Sequence, residues 1–213
     1  MEACVFDLDG VLVDSEPVWE EVRRAYVADN GGTWRPDTQS RLMGMSTGEW
    51  AAYLHELGVG RPPEEIARQV VDAMAERYRE SIPLMPAAQE AVRRLAGRFT
   101  LGLASSSPRR LIDVVLDAAG LDECFAATVS TEEVERGKPA PDGYLEAAAR
   151  LGIDPRACFA VEDSSNGLRS AHAAGMRVVA VPHPRYPPAP DALELAWLVV
   201  HDLGKLTPET LQP

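Results

Sequence analysis

The sequence predicts an α/β protein whose core is a doubly wound parallel sheet, with a small all-helical domain inserted into it. Short apolar runs alternate with stretches of helical periodicity, which is typical of parallel strands joined by crossover helices. Residues 15–81 interrupt this alternation, because they show only helical spacing, as at Val18, Val22 and Ala25. We therefore expect a core domain formed by 1–14 and 82–213 and a helical cap domain formed by 15–81.

The individual core elements follow from the apolar runs and from their flanking glycines and prolines. The strand candidates are residues 3–6, 100–104, 127–129, 158–161, 178–181 and 197–200. The helix candidates between them are 87–96, 109–119, 142–151 and 165–174. Pro108 and Pro141 are expected in first turns, and Gly120 and Gly152 at helix ends.

Composition restricts the class of partner. The formal net charge of -12 argues against nucleic acid and anionic membranes as main partners, because both require clustered cations. The first apolar run stops at Asp7, too early for a signal peptide, and no later run approaches the roughly 18 apolar residues of a membrane span. Cys4, Cys124 and Cys158 follow no disulfide pattern. We expect a reduced, cytoplasmic protein that is a monomer or a weak dimer.

Polar side chains follow four of the predicted strands. In open parallel sheets, ligands bind outside the carboxyl ends of the strands, so these residues are expected to converge on one edge. They are Asp7 and Asp9 after the first strand, Ser105, Ser106 and Ser107 after the second, Lys138 after the third, and Glu162 and Asp163 after the fourth. This set suits phosphoryl transfer, because that reaction uses carboxylates, hydroxyls with free amides, and a cation.

Each of these residue types has its own chemical role. Asp7 and Asp9 lie two residues apart in an extended segment, so both can face one ligand, one as nucleophile and the other as proton carrier. Carboxylate oxygens suit Mg2+, and Glu162 either binds the metal or orients the adjacent carboxylate. Lys138 is one of only two lysines beside nineteen arginines, so this position favours lysine specifically. Ser107 is expected to cap the helix that follows it.

Four short segments resemble the motifs of the haloacid dehalogenase superfamily. They are FDLDGVLVDS (6–15), LAS (103–105), GKP (137–139) and VEDS (161–164), in that order. Their order and spacing match the superfamily along essentially the whole chain, and a helical insertion after the first motif resembles its C1 cap in subfamily IA. A lone DxD is a weak signal, whereas four ordered motifs are specific.

This resemblance implies a role for each motif residue. Asp7 would be the nucleophile and a metal ligand, and Asp9 the general acid and base, with its backbone carbonyl also on the metal. Asp163 would bind Mg2+, while Ser105 and Lys138 would bind phosphate. The Ser106 amide is a further expected phosphate contact, because it lies in the turn that leads into a helix N-terminus.

The sequence also separates the reactions of this superfamily. Dehalogenases lack the second aspartate, which is present here as Asp9, and phosphonatases need a cap lysine, which 15–81 does not contain. Beta-phosphoglucomutases carry a cap histidine and an arginine where this chain has Trp19 and Thr47. We therefore predict a Mg2+-dependent phosphatase that hydrolyses a sugar or polyol phosphate through a phospho-aspartate. The alternatives are a sugar phosphomutase and a non-catalytic phosphate-binding module.

Substrate choice is expected to depend on the cap domain. Ser15 and Glu16 stand beside the predicted hinge. The segment 43–46, which contains Gly44 and is followed by Thr47, lies between cap helices. Lids of this kind exclude water and complete a site when they close. These four residues are our candidate contacts to the substrate.

Overall fold

The computed structural model describes residues 1–43 and 45–211. The chain folds into two compact units. One consists of Met1–Asp14 and Ile82–Pro213, and the other of Ser15–Ser81. The first is called the core unit and the second the helical unit. That the helical unit acts as a cap remains a prediction.

The core unit is built on a parallel sheet of six strands in the order β3-β2-β1-β4-β5-β6. The strands are β1 (Ala3–Phe6), β2 (Thr100–Ser105), β3 (Ala127–Ser130), β4 (Cys158–Glu162), β5 (Arg177–Ala180) and β6 (Leu198–Val199). From the central β1 the chain first moves outward through β2 and β3. It then returns to β4 on the other side of β1, so the direction of winding reverses between β1 and β4.

Helices connect these strands. They are α5 (Ala88–Ala96), α6 (Arg109–Ala119), α7 (Asp142–Leu151), α8 (Ser165–Ala173) and the short α9 (Pro190–Leu193). The four preceding helices belong to the helical unit and are α1 (Glu16–Asp29), α2 (Thr38–Leu42), α3 (Thr47–Glu56) and α4 (Pro63–Glu80). Gly120 and Gly152 end α6 and α7 in the left-handed conformation, as predicted. Pro108 and Pro141 precede the first helical residue, so their predicted place in the first turn is wrong by one position.

The strands contribute small, buried side chains to the core around the sheet. Val5, Ala104 and Ala160 come from neighbouring strands, and Tyr144 and Leu168 pack against them from α7 and α8. Small residues let helices lie close to the sheet, which holds the strand ends in a fixed arrangement. The predicted α/β fold class with a doubly wound parallel sheet is confirmed.

The helical unit has no strand among its described residues, 15–43 and 45–81. Its interior is organised around Trp19 and Trp50, whose ring centroids are 5.9 Å apart. The guanidinium of buried Arg23 lies over both rings, at 4.3 and 4.9 Å from their centroids. Helix α3 begins with a capping box between Ser46 and Glu49. In the described part of the chain, no helix has the length and apolar character needed to cross a membrane.

Candidate active site

The winding reversal brings the ends of β1 and β4 side by side, with acidic residues at both. The Asp7 amide donates to the Val161 carbonyl at 2.9 Å, which fixes the first carboxylate beside β4. Gly10 turns the chain back with a φ of 77°. A Cβ at that position would collide with the Asp163 carboxylate, so only glycine lets the two segments approach this closely.

Three buried carboxylates meet at this point. Asp7, Glu162 and Asp163 each offer an oxygen, and these oxygens lie within 4.8 Å of one another. Lys138 enters the cluster from the loop after β3. Its Nζ donates to Asp7 Oδ1 at 2.7 Å and to Glu162 Oε1 at 2.6 Å. Asp7, Lys138, Glu162 and Asp163, which the sequence placed after three different strands, are therefore brought together.

Glu162 is the most completely hydrogen-bonded member. Its Oε2 accepts from the amides of Asp163 and Ser164 at 2.9 and 3.1 Å and from the Ser164 hydroxyl at 3.2 Å. Its Oε1 accepts from Lys138 and from the Tyr144 hydroxyl at 3.0 Å. Gly167 leaves space for this carboxylate, because a Cβ there would overlap it. These contacts favour Glu162 as the residue that orients Lys138 and Asp163, while its direct metal ligation stays a prediction.

Electrostatics in the cluster favour a bound cation. Burial raises the pKa of Asp7 to about 7, with Lys138 acting in the opposite direction and Glu162 and Asp9 adding to the rise. Burial and then the charge of Glu162 raise the pKa of Asp163 well above its usual range. Burial lowers the pKa of Lys138, but the charges of Asp7 and Glu162 outweigh it, so the ammonium stays protonated. A single lysine leaves these acids incompletely compensated.

Asp163 Oδ1 gives the most direct indication that this cluster suits a cation. It is buried and has no hydrogen-bond partner among the described residues. An unpartnered carboxylate oxygen in the interior is costly unless a donor or a metal binds it. The oxygen-only donor set around it is the kind that hard divalent cations prefer. The residues present therefore fit a divalent metal ion.

The second aspartate is held by serine hydroxyls. Ser107 Oγ donates to Asp9 Oδ2 at 2.7 Å, and Ser105 Oγ approaches the same oxygen at 3.3 Å. The N-cap position of α6 belongs to Pro108, so our expectation that Ser107 caps this helix is wrong. Its hydroxyl is directed to the site instead. Ser106 is exposed, and its carbonyl accepts from Thr131 at 3.5 Å.

The four residues proposed as substrate contacts fall within the range of the helical unit, Ser15–Ser81. Ser15 is buried at the start of α1, and Glu16 accepts from Gln39 at 2.9 Å. Thr47 is the first residue of α3 and is half-buried. Gly44 lies outside the described residues. Their role in substrate binding stays a prediction.

One residue of the candidate site was missed from the sequence, and another was given a different role. Tyr144 is fully buried on α7, donates to Glu162, and has its ring centroid 5.1 Å from Lys138 Nζ. The six-residue step from Lys138 into a helix gives no periodic signal for this contact. Ser107 was recognised as the third hydroxyl after β2, but we assigned it to helix capping.

Comparison with known proteins identifies relatives across the whole chain. The family model of haloacid dehalogenase-like hydrolases matches residues 1–175. Hexitol phosphatase B of Escherichia coli (strain K12) is 35% identical over 98% of this chain and 96% of its own. A phosphorylated carbohydrates phosphatase of Thermotoga maritima is 32% identical, covering 86% of each chain.

A solved structure is also similar. It is that of a Thermotoga maritima protein assigned as a beta-phosphoglucomutase, with a TM-score of 0.79 and 30% identity. The match covers 97% of this chain and 96% of that one. It therefore includes the helical insertion as well as the sheet.

Proposed function

Because the chain belongs to the haloacid dehalogenase-like hydrolases, we propose that it is a Mg2+-dependent phosphatase that forms a phospho-aspartate on Asp7. The named relatives support the phosphatase activity, and the family and fold class agree with the motifs read from the sequence. The observation that carries the proposal is the buried cluster of Asp7, Glu162 and Asp163 beside Lys138, with Asp163 Oδ1 unpartnered in the described structure.

Asp7, Asp163 and the backbone carbonyl of Asp9 are the groups that we propose hold the metal. Bound there, Mg2+ supplies neutralisation of the carboxylates and of the phosphate oxygens. Lys138 keeps one oxygen of Asp7 in a fixed position, which leaves the other oxygen for attack on phosphorus. We propose that Ser105 and the amides of the loop between β2 and α6, including that of Ser106, hold the phosphate.

The reaction then proceeds in two displacements. Asp7 attacks phosphorus, the bond from phosphorus to the alcohol oxygen breaks, and Asp9 gives its proton to the departing alkoxide. In the second step Asp9 takes a proton from water, which attacks phosphorus and breaks the bond to Asp7. Inorganic phosphate leaves, and both aspartates return to their starting states.

A sugar or polyol phosphate is the substrate class that we propose. Two relatives named for hexitol and phosphorylated carbohydrate substrates align over most of this chain. We assign substrate choice to the helical unit as a cap, with Ser15, Glu16, Gly44 and Thr47 as its candidate contacts.

A sugar phosphomutase is the second candidate, because the similar Thermotoga structure carries that assignment. Trp19 stands where the mutases have a histidine, and residues 15–81 lack lysine. Without these groups the chain has fewer side chains to retain a bisphosphate while it reorients. Water is then the expected acceptor. A non-catalytic phosphate-binding module is the third and least supported candidate.

One assay separates these candidates. The purified protein is incubated with Mg2+ and a panel of sugar and polyol phosphates, and free phosphate and isomerised product are measured separately. We expect phosphate alone, and we expect Asp7→Asn to abolish its release. Isomer formation would indicate a mutase, and neither product would favour a binding module.

The cellular setting is part of the same proposal. We propose a cytoplasmic enzyme whose partner is a small phosphorylated molecule and which is a monomer or a weak dimer. Sedimentation at several protein concentrations tests the last point.

A further inference from the structure

Ser107 makes the shortest contact to the second aspartate of the site. Its side chain is buried, with a relative exposure of 6%, and its hydroxyl donates to Asp9 Oδ2 at 2.7 Å. The Ser105 hydroxyl reaches the same oxygen only at 3.3 Å. Asp9 Oδ1 has no hydrogen-bond partner among the described residues. The two oxygens of Asp9 therefore have different surroundings.

The two serines cannot keep the same task once phosphate binds. A hydroxyl has one proton to donate. When Ser105 gives that proton to a phosphate oxygen, its contact with Asp9 is lost. Ser107 then remains as the hydroxyl donor to Oδ2. The sequence Ser105-Ser106-Ser107 thus provides one hydroxyl for phosphate and another for the proton carrier.

The backbone of Ser107 is itself fixed. Its amide donates to Ser105 Oγ at 3.0 Å, and its carbonyl accepts from the buried Ser130 hydroxyl at 2.8 Å. Pro108 follows and restricts the backbone of Ser107 to extended conformations. A donor held in this way is already in place when the reaction begins, so little reorganisation is needed.

We propose that Ser107 is a positioning residue that fixes the orientation of the Asp9 carboxyl group, so that Oδ1 exchanges the proton with the leaving group and with water. This inference rests on the proposed phosphatase function. With Oδ2 occupied by the Ser107 hydroxyl, a proton on Asp9 resides on Oδ1. Without Ser107 the carboxyl group rotates, and its proton no longer faces the leaving oxygen in most molecules.

The test is the leaving-group dependence of Ser107→Ala. The parameter kcat/KM reports steps through departure of the alcohol, so it isolates proton donation by Asp9. We expect kcat/KM for a sugar phosphate to fall by about tenfold or more. For p-nitrophenyl phosphate, whose leaving group needs little acid help, we expect a fall of less than about threefold. Asp9→Asn removes the acid itself. Its effect therefore sets the largest difference that can be expected between the losses of kcat/KM for the two substrates.

Three further variants make the result specific. Ser107→Thr keeps a hydroxyl and should restore the wild-type ratio of the two kcat/KM values, whereas Ser107→Cys keeps the size but is a weak donor and should resemble Ser107→Ala. Ser165→Ala removes a serine hydroxyl that accepts from the Ala189 amide at 2.8 Å elsewhere in the core unit, and it should leave the ratio unchanged. If Ser107→Ala does not fold, Ser107→Cys provides the measurement.

The outcomes distinguish this inference from the proposed function. One contrary outcome is that wild type releases phosphate while the alanine or cysteine variant loses the same factor of kcat/KM for both substrates. In that case Ser107 supports the fold or phosphate binding, and the inference is wrong. An unchanged ratio with full activity also overturns it. If wild type releases no phosphate from any substrate, the proposed function fails, and the inference fails with it.

Discussion

At the scale of single residues, the candidate site is unusual in the amount of charge that it buries. Asp7, Glu162 and Asp163 are within the interior, and Lys138 is the cation that contacts two of them. Buried charges are costly unless they are paired and hydrogen-bonded. Glu162 meets this condition through protein donors, whereas Asp163 does not. The site therefore stores an electrostatic cost that a bound cation relieves.

Asp7→Asn should abolish phosphate release without harming the metal-free fold. The pKa of Asp7 is about 7 in the folded protein, above its unfolded value of about 4, so folding binds a proton there. The stability that this provides is complete at low pH and is lost as pH rises through about 7. In EDTA, Asp7→Asn should therefore have an equal or higher Tm than wild type, with the largest difference above that pH.

The measurement is a series of thermal melts from acidic to alkaline pH, together with a phosphate-release assay in Mg2+. Residual activity above about 1% of wild type, with deamidation excluded by mass spectrometry, would contradict a nucleophilic role. A Tm that falls in EDTA at neutral pH would show that the aspartate stabilises the fold through Lys138.

Lys138→Arg should not preserve activity, even though it keeps the charge. The side chain is 7% exposed, and its Nζ contacts two carboxylates near the ring of Tyr144. The planar guanidinium is larger than an ammonium and cannot occupy the same compact position. We expect a loss of kcat/KM of at least about a hundredfold. Lys205→Arg, at the only other lysine of the sequence, is the matched control. If Lys138→Arg keeps most of the wild-type kcat/KM, the site does not require a lysine at this position.

At the scale of elements, the strands and core helices were readable because they follow strong local rules. Apolar runs marked all six strands, although β6 is limited to Leu198–Val199. Helix α2 was not predicted, because five residues are too few to show an apolar period. The site residues at strand ends followed from topology. Tyr144 and Ser107 did not, because their roles depend on side-chain directions that the sequence pattern does not encode.

The helical unit should affect specificity more than chemistry. Thr47→Ala or Glu16→Gln should change relative kcat/KM among sugar phosphates by roughly tenfold, and should barely change hydrolysis of acetyl phosphate, which is too small to need cap contacts. Glu64→Gln, at an exposed glutamate in the first turn of α4, is the matched control. If the large and small substrates lose activity together, these residues support the fold or closure rather than substrate choice.

At the scale of the whole molecule, the candidate metal ligands all belong to one of the two compact units. Asp7 and Asp163 lie in Met1–Asp14 and Ile82–Pro213, on either side of the inserted helical unit in sequence. A metal ion bound to both joins the beginning of the chain to a segment more than 150 residues later. The formal net charge of -12 adds to the attraction for a divalent cation. Metal binding is therefore expected to stabilise the core unit as a whole.

Mg2+ should raise the Tm of wild type, because a ligand that binds only the folded state stabilises it by about 2.7 kcal/mol at a hundred times its Kd. For a protein of this size that corresponds to a shift of roughly 5–10 °C. Asp163→Asn removes the carboxylate with the unpartnered oxygen, so it should abolish the shift while the EDTA form melts at or above the wild-type temperature. Asp191→Asn, at an exposed aspartate of the same unit, should keep the full shift.

Scanning calorimetry with Mg2+ or EDTA measures these Tm values without any substrate. If calorimetry resolves two unfolding transitions, we expect Mg2+ to raise the Tm of the transition in which the core unit unfolds. An equal shift in Asp163→Asn would mean that Mg2+ acts through general screening of the acidic surface, and the assignment of the metal site would be wrong.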